Sequence, residues 1–471
     1  MAEVLKRAKA LAVNPLKTSQ PMGASLAVLG LNRAIPLLHG SQGCAAFAKV
    51  FFVRHFREPI PLQTTALDAV SSIMGADDNI VEGLRTLCEK SRPAVIGLLT
   101  TGLTEAQGSD IHRVVKLFGE RHPEFQATRI LPVNCPDFEG CLETGFAIAV
   151  QAMIDAWVPA TGHRPGSHPR QVNVLAGAQL TPGDLEALKE LIVAFGLHPV
   201  VIPDISDSLD GHLTATDFSP LTVGGTSPTA FTALGNAAAT LAIGASVYPA
   251  AELLRERTGV PIYCFEHLLG LEATDTLVLT LAGISGQAPP PQLERQRAQL
   301  QDAMLDTHFL LGQVRCAVAA DPDTLYAFCC LLAEIGAEIV AAVASCRLPL
   351  LERVPTEQVQ IGDLEDLEQL AGRGEAEVII GNSHAAAVAG RLQVPLLRAG
   401  FPLYDQIGGY QRAWIGYRGG RQTLFDLANL LLAHGQHGIE PYHSIYSRKP
   451  DDRAEANYGL TAASAPRSRA H

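Results

Sequence analysis

No two cysteines in this chain are spaced as CxxC, although nine are scattered over its 471 residues. The missing pair argues against a self-contained zinc site or ferredoxin-type cluster. Irregular spacing in so long a chain argues equally against a disulfide framework. No GxGxxG follows a strand-like run and no GxxxxGK[ST] occurs, so neither a Rossmann dinucleotide site nor a P-loop is supported. Blocks of Lys and Arg are absent too, and a formal charge of −12 points away from general nucleic-acid binding. The N-terminal MAEVLKRAKALAV lacks the apolar core of a secretory signal. The longest apolar run, around Phe146 to Val158, carries Gln151 and Asp155 and is too short to span a bilayer. The expected location is therefore cytoplasmic, and 18% charged against 47% hydrophobic residues describes a soluble globular protein on the apolar side. Buried parallel sheets or a large subunit interface would each explain that surplus.

What is present is strand–helix alternation. Domains of about 150 residues set an expectation of roughly three. Strands are predicted at Ala94 to Thr101, Arg129 to Asn134, Val172 onward, Pro199 to Pro203, Arg315 to Ala320, Glu338 to Ala344 and Glu377 to Gly381. Helices are expected at Ser109 to Phe118, Gly145 to Trp157, Thr181 to Phe195, Gln292 to Gly312, Asp323 to Ile335, Leu364 to Ala371 and Arg421 to Ala433. In the third of these, Thr181 is an N-cap and Pro182 the first helical residue. Ala2 to Ala10 reads as a short basic helix, Asn14 to Gly23 as a loop, and Ala24 to Leu31 as a buried strand or helix. Pro/Gly/His-rich 160–171 and the Pro289 to Pro291 run mark boundaries. The fold class is therefore α/β, with three doubly wound, Rossmann-like domains on parallel sheets at 1–165, 166–290 and 291–448, and a polar, mobile tail at 449–471. Ligands in such folds sit at the carboxyl ends of strands, which directs attention to the loops after Thr101, Asn134 and Gly381.

The stretch His39 to Pro59, HGSQGCAAFAKVFFVRHFREP, concentrates the chemistry. Gly40, Ser41, Gln42 and Gly43 lead to Cys44, and a helix-compatible run from Ala45 to Phe56 follows. A thiol at or near the first turn of a helix meets unpaired N–H groups and the positive end of the dipole, which favour thiolate. Such a thiolate is a nucleophile, a redox thiol or a metal ligand. A tight turn feeding a helix with an inert buried cysteine explains the same residues.

Packing is the favoured reading for Cys88, Cys264, Cys316, Cys329, Cys330 and Cys346. His39 and His55 flank Cys44, but a turn or helix face accounts for either. Cys135 and Cys141 differ, because both follow a strand on its loop side. A four-iron cluster needs four protein ligands. If Cys44 is one, three more are not evident nearby, so either the idea fails or a cluster straddles a subunit interface.

Several motifs together resemble the nitrogenase component 1 family: SQPMGA (Ser19 to Ala24), HGSQGC (His39 to Cys44), RHFREP (Arg54 to Pro59), LLTTG (Leu98 to Gly102), RAGFPLYDQIGG (Arg398 to Gly409) and PYHSIY near the end. HGSQGC with RHFREP at this spacing resembles the β-type subunits. The resemblance implies three α/β domains and an α2β2 heterotetramer. It also identifies departures. Catalytic β subunits place three cysteines on an eight-iron P-cluster, at positions that here are Ser19, Cys44 and Gly102. Only Cys44 survives, and serine and glycine do not replace thiolates. The pattern is similar to β-like subunits of the family's cofactor-assembly scaffold, where a NifE-type α-like subunit gives three cysteines and its partner one to a shared [4Fe-4S] cluster.

By that resemblance, Cys44 is the metal ligand, and Gly40, Ser41, Gln42 and Gly43 orient it and offer N–H groups to cluster sulfides. A precursor of the iron–molybdenum cofactor would be held mainly by the α-like partner. A cofactor-precursor donor protein and the nitrogenase iron protein are the further partners implied. Cys141 falls where catalytic subunits carry a serine near the P-cluster, so it is expected either as a near-cluster thiol or as a nearby uncoordinated one. Two rival readings are a catalytic β subunit of a nitrogenase or related reductase, which Ser19 and Gly102 weigh against, and a metal-free α/β transferase, whose phosphate-cradling loop is missing.

Overall fold

A computed structural model describes residues 1–6, 9, 12–213 and 219–435. The PYHSIY motif and the expected tail lie outside the described residues. Among the described residues, fourteen strands are β1 Glu3–Leu5, β2 Ala34–His39, β3 Gln63–Thr64, β4 Val95–Thr100, β5 Arg129–Val133, β6 His168–Ala176, β7 His198–Ile202, β8 Ala237–Ile243, β9 Ile262–Phe265, β10 Arg315–Ala320, β11 Glu338–Ala344, β12 Gln358–Ile361, β13 Val378–Gly381 and β14 Leu396–Arg398. They form three sheets, ordered β3-β2-β4-β5, β7-β6-β8-β9 and β1-β12-β11-β10-β13-β14. Every named pairing is parallel. Helices cover both faces of such sheets, so β2 (AIPLLH) and β4 (VIGLLT) are buried at every residue. This is the expected α/β architecture of parallel, Rossmann-like units.

The N-terminal expectations change. The basic helix expected from Ala2 to Ala10 is replaced, where the stretch is described, by a strand: Glu3–Leu5 is β1, an edge strand of the third sheet paired Glu3↔Gln358 through Leu5↔Gln360. Lys9 is drawn to the acidic start of the Leu364–Arg373 helix, with Nζ 2.8 Å from Asp363 Oδ1. Tertiary pairing overrides local propensity here. The expected loop at 14–23 is shorter, because a helix begins at Gln20 with Pro21 in its first turn and runs to Leu29. This helix resolves the apolar run after Gly23, and all ten of its residues are buried.

It crosses the Leu142–Trp157 helix at very short range. A Cβ on Gly23 would lie 1.9 Å from the Leu142 carbonyl oxygen, and one on Gly145 would lie 2.1 Å from the Gln20 carbonyl oxygen. Only glycine allows that approach. The Leu142–Trp157 helix starts three residues before the expected Gly145, with Cys141 at its N-cap. Thr181 caps the Pro182–Ala194 helix as expected, in a reciprocal capping box with Asp184.

Buried carboxylates join the three units. Glu143 accepts from the Asp323 N–H (2.7 Å), the Thr324 N–H (3.0 Å) and the Thr324 hydroxyl. Asp323 in turn accepts from the N–H groups of Ala245 and Ser246 at 3.1 Å each. Asp184 accepts from those of Trp414 and Ile415. Burial raises all three acids, Asp184 to about 6.

Candidate functional site

The site is assembled at the carboxyl ends of β2 and β4. After His39 the chain turns through Gly40 and Ser41 into a helix, Gln42–Phe56, so Cys44 stands in its first turn as expected. Ala45, Ala48, Phe52, His55 and Phe56 form the buried face at helical spacing. Cys44, Phe47, Val50 and Val53, at successive three-residue steps along the helix, are exposed. The Ser41 side chain caps none of the helix N–H groups; its hydroxyl lies 3.5 Å from the Cys44 sulfur.

The turn is held from beneath. Hydroxyls of Thr101 and Thr104 both donate to the His39 carbonyl, at 3.0 and 3.1 Å. A Cβ on Gly40 would come within 2.8 Å of the Thr101 side chain. Here glycine is required for two loops to touch. Gly43 is different: a Cβ there would meet only the Ser41 hydroxyl, at 3.9 Å. The space beside Cys44 is left open by this chain's own atoms. Gly102 opens the adjoining Gly102–Gln107 helix, and its N–H donates to Asp137 at 3.1 Å. Burial raises the Asp137 carboxyl.

Both histidines of the stretch are structural. His39 is buried between Thr65 (2.9 Å) and Ser109 (3.1 Å), and burial lowers it to about 4. His55 accepts from the Leu403 N–H at 2.9 Å, and burial lowers it to about 3. Arg54 stacks on Tyr404, 4.5 Å from the ring centroid, and Arg57 donates to the Tyr404 carbonyl at 3.2 Å. RHFREP and RAGFPLYDQIGG are thus two sides of one contact, which fixes the far end of the Cys44 helix.

Of the remaining cysteines, Cys88, Cys316, Cys329 and Cys346 are buried and Cys330 partly so, as expected. Cys264 corrects its packing assignment: it is exposed on β9, the edge of the second sheet. Cys135 is buried, donates to the Thr100 carbonyl, and is pushed up to about 12 by burial. Cys141 does not share the Cys44 surface. Its thiol is buried inside the chain, and burial raises it well above its ordinary value. Among the described residues, no three His, Cys, Asp or Glu side chains could together hold a metal ion.

Sequence reasoning missed the apolar rim. Exposed large hydrophobics on the Cys44 helix and on the elements adjoining its turn include Phe47, Val50 and Val53, Leu103 in the Gly102–Gln107 helix, Phe138, and Ile73 and Met74. The short Ser71–Met74 helix adjoins the Leu103 helix through a bond from Gln107 to the Ser71 carbonyl, 2.9 Å. Large apolar side chains exposed on adjoining elements are the kind of surface that protein–protein contacts use. The spacing of Cys44, Phe47 and Val50 was the available signal, but a core face looks identical in sequence. No helix among the described residues is long and apolar enough to cross a membrane.

Comparison with known proteins agrees with the α/β fold and the family resemblance. A family described as nitrogenase component 1 type oxidoreductase matches residues 19–432. The nitrogenase iron-molybdenum cofactor biosynthesis protein NifN of Klebsiella pneumoniae is 47% identical over 451 residues, covering 96% of this chain and 97% of that protein. Its namesake from a Nostoc species is 48% identical over 432 residues, covering 92% and 96%. Among solved structures, one titled nitrogenase Cp1 at pH 6.5 superposes with a TM-score of 0.86 at 28% identity, covering 94% of this chain and 98% of that one.

Proposed function

The chain belongs to the nitrogenase component 1 family, and from that membership we propose that it is the β-like subunit of a scaffold for assembling the iron–molybdenum cofactor of nitrogenase. Relatives of near-equal length named for that biosynthesis support the reading. Within it, Cys44 contributes one thiolate to a [4Fe-4S] cluster shared with a NifE-type α-like subunit in an α2β2 complex. The observation that carries this assignment is the Cys44 surface: one exposed thiol in a helix first turn, open space beside Gly43, and an apolar rim.

The residues present fit one corner of such a cluster. A four-iron cluster takes four ligands, and this chain gathers no metal-holding group among its described residues. The partner therefore supplies the other three. When bound, the cluster supplies one-electron transfer at a potential set by its hydrogen bonds and exposure. The protein's own part is to hold Cys44, present the uncapped N–H groups of the first turn, and exclude water through Phe47, Val50, Leu103 and Phe138. Cys141 stays outside the ligand set, because its thiol is buried inside the chain. The cofactor precursor is held mainly by the α-like partner, with the iron protein and a precursor donor protein docking on the complex.

The test is anaerobic co-purification with the α-like partner, counting iron and recording the reduced-state EPR spectrum for wild type and Cys44→Ala. The expected result is loss of a four-iron signal from a variant complex that still assembles. An unchanged signal would overturn the ligand assignment.

A further inference from the structure

The first sheet carries the Cys44 turn where its strand order reverses, between β2 and β4, and the second sheet reverses between β6 and β8. Open α/β sheets bind ligands in the crevice at such a point. Three residues past β6, Gln179 borders a cavity of about 60 Å³. The rings of Phe328, Phe401 and Trp414 wall it. So do His55, from the buried face of the Cys44 helix, and His267, from the loop after β9. All three units therefore meet at this space. Its polar groups are short of partners. Both ends of the Gln179 amide, Oε1 and Nε2, are buried and hydrogen-bonded to nothing among the described residues. His55 accepts from the Leu403 N–H and His267 from the Leu269 N–H (3.2 Å), each at Nδ1. Burial lowers both imidazoles, so each is neutral and carries its proton on Nε2. Neither Nε2–H finds an acceptor among the described residues. The one carboxylate on the wall, Asp184, already accepts from the N–H groups of Thr181, Trp414 and Ile415.

We propose that this cavity is a binding site for a small primary carboxamide, whose oxygen accepts from the Gln179 amide and the histidine Nε2–H groups and whose N–H donates to Gln179 Oε1. A carboxamide sets a donor and an acceptor side by side, which is what the two free ends of another amide require. The ring N–H groups add donors for its oxygen. Apolar walls do not solvate an ion, and Asp184 disfavours a second negative charge, so the ligand is uncharged. The volume is roughly twice a water's share of the liquid, which limits the ligand to a few non-hydrogen atoms. Buried polar atoms left unpaired carry a standing cost, and a ligand that pairs them recovers it. Because His55 belongs to the Cys44 helix, an occupied cavity ties that helix to the second unit.

The experiment titrates acetamide and acetone, which share a shape but not the N–H donors, into the full-length chain in its anaerobically purified complex. Saturation-transfer NMR on their methyl protons reads the binding. The expected result is saturable acetamide binding at millimolar concentration, about tenfold tighter than that of acetone, which leaves the Gln179 oxygen unpaired. Gln179→Leu should lose the preference for acetamide, and nothing in the described fold bonds to the amide it removes. No saturable acetamide binding, or an acetone affinity within about threefold of it, would overturn the proposal, as would a preference that survives in Gln179→Leu. The wild-type comparison of the two probes decides this even where the variant fails to fold.

Discussion

Replacing Phe47 with Asp separates an interface from a mere exposed patch. Phe47 leaves 71% of its surface in solvent, and an aromatic side chain offers about 200 Å² in all. About 140 Å² is therefore available for burial, a ceiling near ~3.5 kcal/mol at ~25 cal/mol per Å². Incomplete burial and the cost of ordering the contact reduce this to about 2–3 kcal/mol. The dissociation constant for the α-like partner should then rise roughly 30- to 150-fold, at 1.4 kcal/mol per factor of ten. A carboxylate forced into the contact weakens it further. Titration of the α-like partner under anaerobic conditions, read by calorimetry, measures the change. The chain's own thermal unfolding should move little, since an exposed substitution costs within about 0.5 kcal/mol. An affinity within threefold of wild type would refute the assignment of this surface to the partner.

Gly43→Ala should leave the chain as stable or more so, because its Cβ enters open space and alanine gains about 0.5–1 kcal/mol in a helix. Iron per complex should nonetheless fall, and unchanged iron would mean that the space is not used. Glu143→Ala strands the N–H groups of Asp323 and Thr324, each worth about 1–3 kcal/mol when buried. A loss of about 3–5 kcal/mol is expected in urea unfolding, and less for Glu143→Gln; a loss under about 1 kcal/mol would refute the role of Glu143 in joining the units. Asp184 is raised by burial to about 6 from 3.8. The folded state holds this proton more tightly than the unfolded one, so the stability from it is present below about pH 4 and is lost as pH rises to about 6. Asp184→Asn should remove that part of the fall, about 3 kcal/mol at 1.36 kcal/mol per pKa unit; parallel profiles for the two proteins would refute it.

Much of this was readable from local sequence. β4, β5, β10, β11 and β13 are short apolar runs between turn signals, the form that a strand buried on both faces must take. Thr181, Pro182 and Asp184 spell a helix start with its mechanism attached. The Cys44 turn was legible because two glycines, a serine and a helical run leave little choice of geometry. β2 was hidden by Pro36, which demotes a strand reading, and β1 by the charges around it. The exposure of Phe47 and Cys264 depends on what other elements cover, which no local pattern encodes. The partners of Glu143, Asp323 and Thr324, open another unit's helix remote in sequence, a contact that no local pattern encodes.

The pairing of β1 with β12 closes the chain into a ring: residues near the beginning complete a sheet built mostly from the last third. Closing so long a loop costs entropy that grows only slowly with length. During synthesis the third sheet must therefore finish forming around a partner strand made long before it. Until Glu3–Leu5 returns, β12 presents the open row of N–H and C=O groups that recruits strands from other chains. Removing those three residues would harm the monomer little and its solubility much. The short N-terminal strand is a guard against aggregation.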